Sequence, residues 1–530
     1  MAGSRADLAT AVTTVASRPR GLERTARGGL ANMVGSALAG GTGVVVTWLV
    51  ARALGTEQAG AFFAATAAFV LAGGLAKLGT QTGLVYWPAR LRATGRDQLL
   101  GACLRTGLTP VLILSVLLAA VLWWQAPAVA RLTAADSPHV IAEHTAGLRM
   151  LALFLPLQAM TDALLTATRG YKAMRPTVTL DRILRSVLQL AFVGAAFTLG
   201  ASLPAVALAW AVPYLPVTVL AALALRRLHR PGPAPSPDER RALRRDFWRF
   251  TGPRAVASVA QLALQRVDVL LVAALGGLAP AAVYAVAGRF VVLIQFANQG
   301  ISQSVQPRLA EALATGDRAT ANHLYQIATG WLVLVTWPIS LLVILFAPLY
   351  LRLFGENYTA GTPVVVVLAC AMLVATGCGM VDMVLAMAGR TSWNLGNVLV
   401  ALAVTITLDV LLIPRYGALG AAIGLACAMV VNNLLPLIQV GRSAGLHPFG
   451  PGTLAAGALA AGCFGVLPRA VTALAGTGPA GLALAAGLGV AAYAIGVRLL
   501  RRRLALHAFK PRRRPSGAGE PRTIISRRTG

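Results

Sequence analysis

The chain has 530 residues, of which 57% are hydrophobic and only 12% charged, and its mean hydropathy of +0.69 implies more apolar surface than a soluble core of this length can hide. Its 47 Lys and Arg against 18 Asp and Glu give a formal charge of +29. Those cations lie in short stretches between apolar runs, where the excess of positive charge on one side of a membrane explains them without a nucleic-acid partner.

In chain order, residues 1–29 form a basic N-terminal tail with no apolar run ahead of a small-residue cleavage site, so no removable signal peptide is expected. Apolar runs broken by Gly, Pro or charge then predict spans at 30–50, 60–76, 106–124, 146–167, 184–200 and 204–225. Residues 226–254, with HRPGPAPSPDERRALRRDFWRF at their core, read as a Pro-rich cytoplasmic linker leading into a short amphipathic helix. Further spans are expected at 255–275, 283–304, 328–349, 361–388, 394–413 and 418–440, then 453–474 and 479–497, about fourteen in all. A basic tail, 498–530, closes the chain; its last part reads as disordered beside an anionic leaflet.

With the N-terminus inside, the outer loops hold only Arg52, Arg131, Arg149, Arg352, Arg415 and Arg469, so both termini are expected in the cytoplasm of a cell-membrane protein. All five cysteines, at 103, 370, 378, 427 and 463, fall in or beside apolar runs, which indicates neither a disulfide framework nor a metal cluster. The outer segment around 125–145 carries Asp136, His139, Glu143 and His144, read as solvated loop rather than metal site. No loop gathers a carboxylate or histidine set of the kind an enzyme would need, and no cofactor is expected.

The most informative feature is a repeat. At an ungapped offset of 221 residues, 15 of the 50 positions from Val46 to Gly95 are identical, among them Leu54-Gly55 with Leu275-Gly276, Phe69-Val70 with Phe290-Val291, Gly79 with Gly300, and Ala93-Thr94-Gly95 with Ala314-Thr315-Gly316. Six spans separate the copies. The halves therefore have the same topology, a parallel repeat about an axis along the membrane normal, which is a transporter architecture.

LVARALGTEQAGAFFAATAAF and LGTQTGLV in the first copy resemble the opening of the polysaccharide and oligosaccharide flippases. LQRVDVLLVAALGGLAPAAVYAVAGRF resembles the start of that family's second lobe, and APLYLRLFGENYTAG with LAMAGRTSWNLGNVLVALAVTITLDVLLIPRYGALGAAIGLA its end. The likeness runs from about Arg27 to Gly441. It implies two pseudo-symmetric six-helix lobes, 30–225 and 255–440, with two added C-terminal helices at 453–497. It further implies alternating access that carries an undecaprenyl-pyrophosphate-linked glycan to the outer leaflet, with a polysaccharide polymerase or glycosyltransferases as prospective partners. The superfamily also contains cation-coupled multidrug exporters and the peptidoglycan-precursor flippase; a non-transporting envelope-assembly scaffold is the reading from another class.

A charge at mid-bilayer costs at least about 2.5 kcal/mol, so an ionisable group within a span should face a cavity or a partner. Arg266, Asp268 and Arg289 lie in the seventh and eighth spans, and with Arg182, Arg185 and Lys77 nearer the inner face they are candidates to line a cationic cavity for a pyrophosphate or acidic sugar. The structural alternative is an Asp268–Arg289 ion pair that only packs the lobe. Gln295, Gln299, Gln303 and Gln306 share one helix face, which suits a wall able to hydrogen-bond sugar hydroxyls, or else interhelical glue. Asp162, Asp382 and Asp409 fall in apolar runs and could bind a coupling cation, or accept hydrogen bonds from neighbouring helices.

Overall fold

The computed structural model describes residues 19–133, 138–229, 233, 235–476 and 478–504, without the side chains of 19–34 and of 479. The first 18 residues and the tail beyond 504, including the stretch expected to be disordered, lie outside the described residues. Among the described residues the chain is helical throughout, with no strand. In order come α1 (Pro19–Ala76), α2 (Thr80–Ala93), α3 (Leu100–Thr133), α4 (Pro138–Gly170), a π-helical segment Thr177–Arg185 running into α5 (Ser186–Thr198), and α6 (Leu203–Leu228). The second half has α7 (Pro237–Gly276), α8 (Leu278–Ala287), α9 (Phe290–Ala314), α10 (Arg318–Leu345), α11 (Ala347–Arg352), α12 (Thr362–Gly377), α13 (Val381–Met387), α14 (Thr391–Tyr416) and α15 (Ala418–Ala444). Two more, α16 (Pro451–Ala475) and α17 (Pro479–Leu499), follow.

Twelve helical stretches among the described residues are long and apolar enough to cross a membrane. The fourteen expected segments map onto the fold with two adjustments. Spans one and two are a single helix, α1, bent at Gly55, whose φ of 71° and ψ of −178° only glycine adopts readily. Span five is shared between the π-helical segment and α5, each too short to span alone.

Three boundaries differ from expectation. Helix begins at Pro19, inside the stretch read as tail, and the expected linker helix and seventh span are one 40-residue helix, α7, started by a capping box at Ser236 and Glu239. Residues 138–145, read as loop, are the first turns of α4. There His144 Nδ1 lies 3.0 Å from Thr133 Oγ1, and Glu143 accepts a 2.5 Å bond from Gln58, so both serve packing; Asp136 is outside the described residues.

The repeat is visible in the backbone. Gly277, one residue past the aligned position, has nearly the angles of Gly55 (φ 91°, ψ 173°), and Gly95 and Gly316 share a left-handed φ of 69° and 74°. The copies differ between those points. The first breaks at Leu78–Gly79, the second at Gly288–Arg289, where its partner runs as unbroken helix. The break in the second copy sits beside the buried charges described below.

Apolar packing is arranged asymmetrically along the bundle. At the end bearing Arg52 and Leu353 one continuous core joins both lobes, with Val50, Phe62 and Phe69 packed with Leu278, Tyr284 and Tyr358. Toward the other end each lobe keeps a separate core, one around Leu84, Cys103, Leu225 and Phe247, the other around Leu309, Tyr325, Val384 and Leu446. The lobes' direct approach on this side relies on glycine, since a Cβ on Gly40 or Gly74 would strike Phe296 or Leu262 at 2.0 and 1.8 Å. Helices α16 and α17 dock on the second lobe, Tyr493 donating to Leu334 O at 2.6 Å.

Candidate functional site

A cavity of about 380 Å³ lies within the second lobe, between α7, α8–α9, α12–α13 and α15. Its polar lining is concentrated on α7 and α9, because the exposed i, i+4 pair Gln261 and Gln265 precedes Arg266 and Asp268, and the break at Gly288–Arg289 turns Arg289, Gln295 and Asn298 onto the same wall. Asn432 and Asn433 complete it from α15, and Asp382 from the start of α13.

The two arginines are charge-bearing groups whose hydrogen bonding is incomplete. The Nε of Arg266 and that of Arg289 are both buried with no hydrogen-bond partner among the described residues, and an unmet buried donor costs about 1–3 kcal/mol. Arg289 also lies over the Phe63 ring of the first lobe at 5.7 Å, so it touches both halves of the molecule. The Asp268–Arg289 ion pair, the structural alternative to a cavity role, is not among the ion pairs of the described residues. Asp268, 4% exposed, instead accepts from the Tyr284 hydroxyl and from Val269 N at 2.8 Å; Tyr284 follows it in sequence by four helical turns and is brought to it by the Gly277 bend.

Asp409 on α14 sits behind this wall. It is fully buried, neither carboxylate oxygen has a hydrogen-bond partner among the described residues, and the hydroxyl of Thr405, one turn before it, is likewise buried without one. Among the described residues no three His, Cys, Asp or Glu cluster as a metal site.

The other candidates lie elsewhere. Lys77 and Asp162 pair at 2.7 Å within the first lobe, where Arg185 holds Asp181 at 2.7 Å and Gln189 at 2.9 Å, and Arg182 donates to Ser36. Arg182 ties the π-helical segment to α1, Arg185 braces that segment internally and against α5, and the Lys77–Asp162 pair ties the end of α1 to α4. Gln299, Gln303 and Gln306 are exposed further along α9, beyond the cavity lining. Of the residues singled out from sequence, the cavity therefore gathers Arg266, Asp268, Arg289, Gln295 and Asp382. It adds Gln261, Gln265, Tyr284, Asn432 and Asn433, of which the amides were legible as polar residues in apolar runs.

With this geometry in hand the chain can be set beside known proteins. The family described as polysaccharide biosynthesis protein matches residues 25–313, more than half of the chain. The chain belongs to that family. The MatE family matches residues 253–414, which supply the cavity lining except that from α15. The fold is that of the MOP-superfamily transporters. The chain is similar to the lipid II flippase MurJ in its inward closed conformation, at 14% identity and TM-score 0.71 over 89% of this chain and 99% of that one. It is also similar to an inward-facing multidrug resistance MATE transporter, at 15% and 0.59 over 78% and 94%. A MOP-superfamily transporter from Pyrococcus furiosus gives 15% and 0.54 over 79% and 95%. No curated protein matches the sequence.

Proposed function

We propose that this member of the polysaccharide biosynthesis family is a flippase that carries a lipid-linked oligosaccharide or polysaccharide precursor from the inner to the outer leaflet of the cell membrane. The lobes rock against each other, opening the passage at either end in turn, and the cavity receives the anionic headgroup. The observation that carries the reading is the pair of half-buried arginines, Arg266 and Arg289, each with an unmet Nε donor, beside the amides of Gln261, Gln265, Gln295, Asn298, Asn432 and Asn433. Guanidinium forks suit phosphate oxygens, and amides suit sugar hydroxyls.

A wholly apolar drug would leave these groups unpaired, which argues for a polar, anionic cargo. Both termini lie on the cytoplasmic side in this reading, and the polymerase or glycosyltransferases of the same pathway are its partners.

Reconstituted vesicles with a labelled lipid-linked oligosaccharide test the proposal. Wild-type protein should move label between leaflets, and Arg266→Gln or Arg289→Gln should each slow it about tenfold, the loss of one charge-assisted hydrogen bond, with an unchanged melting temperature. Normal flipping by both variants would remove the arginines from the mechanism.

A second reading, a cation-coupled small-molecule exporter, is favoured by the MatE match over 253–414 and by the unpartnered carboxylate of Asp409. Drug susceptibility upon expression separates the two, since only the exporter should alter it.

A further inference from the structure

The first half of α7 runs between two pockets that the transport cavity does not include. One, of about 550 Å³, lies between α7 and α2, and the other, of about 350 Å³, between α7 and the start of α3. Arg90, Arg96, Arg249 and Arg254 surround the first, where Asp246 is the one carboxylate; Arg105, Arg240, Arg241 and Arg244 surround the second, which has none. Arg241 meets Asp238 at 3.9 Å, and around both pockets the guanidinium groups still outnumber the carboxylates, an excess of positive charge that anions would neutralise.

The first pocket is built rather than incidental. Its floor is Tyr86 stacked on Phe250, centroids 4.3 Å apart and planes 18° from parallel, with Trp87 edge-on. Arg90 donates to the Tyr86 hydroxyl at 2.9 Å and lies over the Trp87 ring at 5.4 Å. Arg254 lies 4.0 Å over the Phe250 ring and donates to the Phe250 carbonyl at 2.7 Å. These contacts use one N–H of each fork and leave the others for a ligand. The walls are fixed against each other because Gly83 of α2 lets Thr251 and Phe247 of α7 approach to where its Cβ would be, 2.4 and 2.7 Å away.

Aromatic rings with arginines at the ends of apolar helices mark the headgroup level of a bilayer. Apart from Thr94 and Thr106 no neutral hydrogen-bonding side chain other than Tyr86 and Trp87 lines either pocket, so neither offers the amides that sugars need.

We propose that the two pockets bind the headgroups of anionic membrane phospholipids, one on each side of α7, pinning the connector between the lobes to α2 and α3 of the first lobe. Charge complementarity selects the occupant: guanidinium groups meet a phosphodiester, and the stacked rings lie beside its glycerol and upper acyl chains. The site is independent of which substrate the transport cavity carries.

The test uses full-length protein in nanodiscs of phosphatidylcholine with graded phosphatidylglycerol, with retained lipid counted by native mass spectrometry. Wild type should keep two phosphatidylglycerol molecules in preference to phosphatidylcholine. Arg249→Gln with Arg254→Gln should weaken one site about tenfold, and Arg241→Gln with Arg244→Gln the other. Arg501→Gln with Arg502→Gln, basic residues outside the pockets, should keep both lipids. Equal retention by all variants, or no preference for the anionic lipid, overturns the proposal. Displacement of the bound lipid by millimolar inorganic pyrophosphate would overturn it in favour of a soluble-anion site.

Discussion

Asp409 concentrates the chemistry that one residue can carry in this fold. Its carboxylate is fully buried with no hydrogen-bond partner among the described residues, and Gly424 of α15 leaves it room: a Cβ there would stand 2.2 Å from Oδ1. A charge so placed is costly unless neutralised by a proton or a metal cation. Asp409→Asn keeps the volume and removes the charge, so it is expected to abolish any Na⁺ or proton dependence of transport while the protein still folds. Gly424→Ala should do the same by displacing the carboxylate. Transport rates in vesicles with and without an imposed ion gradient check both, and an unchanged ion dependence in Asp409→Asn would remove this residue from coupling.

Outside the membrane, Asp317 caps α10 by accepting from Thr320 N at 3.0 Å, and hydrogen bonding from the Thr320 side chain and N–H holds its pKa below the ordinary carboxylate value. A depressed folded pKa means stabilisation present above the unfolded pKa and lost as pH falls through the folded one. Amide exchange at the first turn of α10 should therefore rise, after correction for intrinsic rates, as pH drops below the normal Asp range. Asp317→Asn keeps a capping oxygen and should flatten that dependence.

Among the helices, α1 and the α7–α8 pair turn on single glycines. Gly55 and Gly277 hold positive φ with nearly extended ψ, and nothing stands within 4 Å of where a Cβ would point at either. An alanine there meets backbone strain alone, about 1–3 kcal/mol. Gly55→Ala and Gly277→Ala should each lower the melting temperature in detergent, whereas Gly43→Ala, in ordinary helix of α1 with equally open space, should leave it unchanged or raise it. A neutral Gly55→Ala would mean that the bend is not needed. The same bend at Gly277 brings Tyr284 to Asp268 and leads to the break that turns Arg289 inward. At the aligned positions of the first copy stand Thr47, Phe63 and Ala68, so this set of cavity charges belongs to the second lobe alone, and the first presents the Phe63 ring to Arg289.

For the whole molecule, the shared core at the Arg52 end is fastened across the lobes by two side chains on one carbonyl: Trp48 Nε1 and Arg52 Nε donate to Leu353 O at 2.8 and 2.9 Å. Alternating access requires that junction to part. Trp48→Cys with Leu353→Cys, joined by a short bifunctional thiol reagent, should stop transport, and a cleavable reagent should restore it on reduction. Full transport by the joined protein would show that the lobes do not separate there.

Much of this was legible in the chain. Apolar runs longer than 18 residues fix the helices, because lipid offers no partner for backbone polar groups, and the 221-residue repeat fixes the two-lobed plan. Arg266, Asp268, Arg289 and Gln295 stood out because a charge or amide in an apolar run needs a reason. Which of them meet was decided only in three dimensions. Lys77, Arg182 and Arg185 look no different in sequence from Arg266, yet each has a partner in the first lobe, Lys77 and Arg182 across helix interfaces in Asp162 and Ser36, and Arg185 four residues back along its own segment in Asp181. Asp268 and Arg289 lie close along the chain but part company, since the Gly277 bend gives Asp268 to Tyr284. Sequence spacing sets which face of its own helix a residue occupies; the crossing of helices far apart in the chain sets what that face meets.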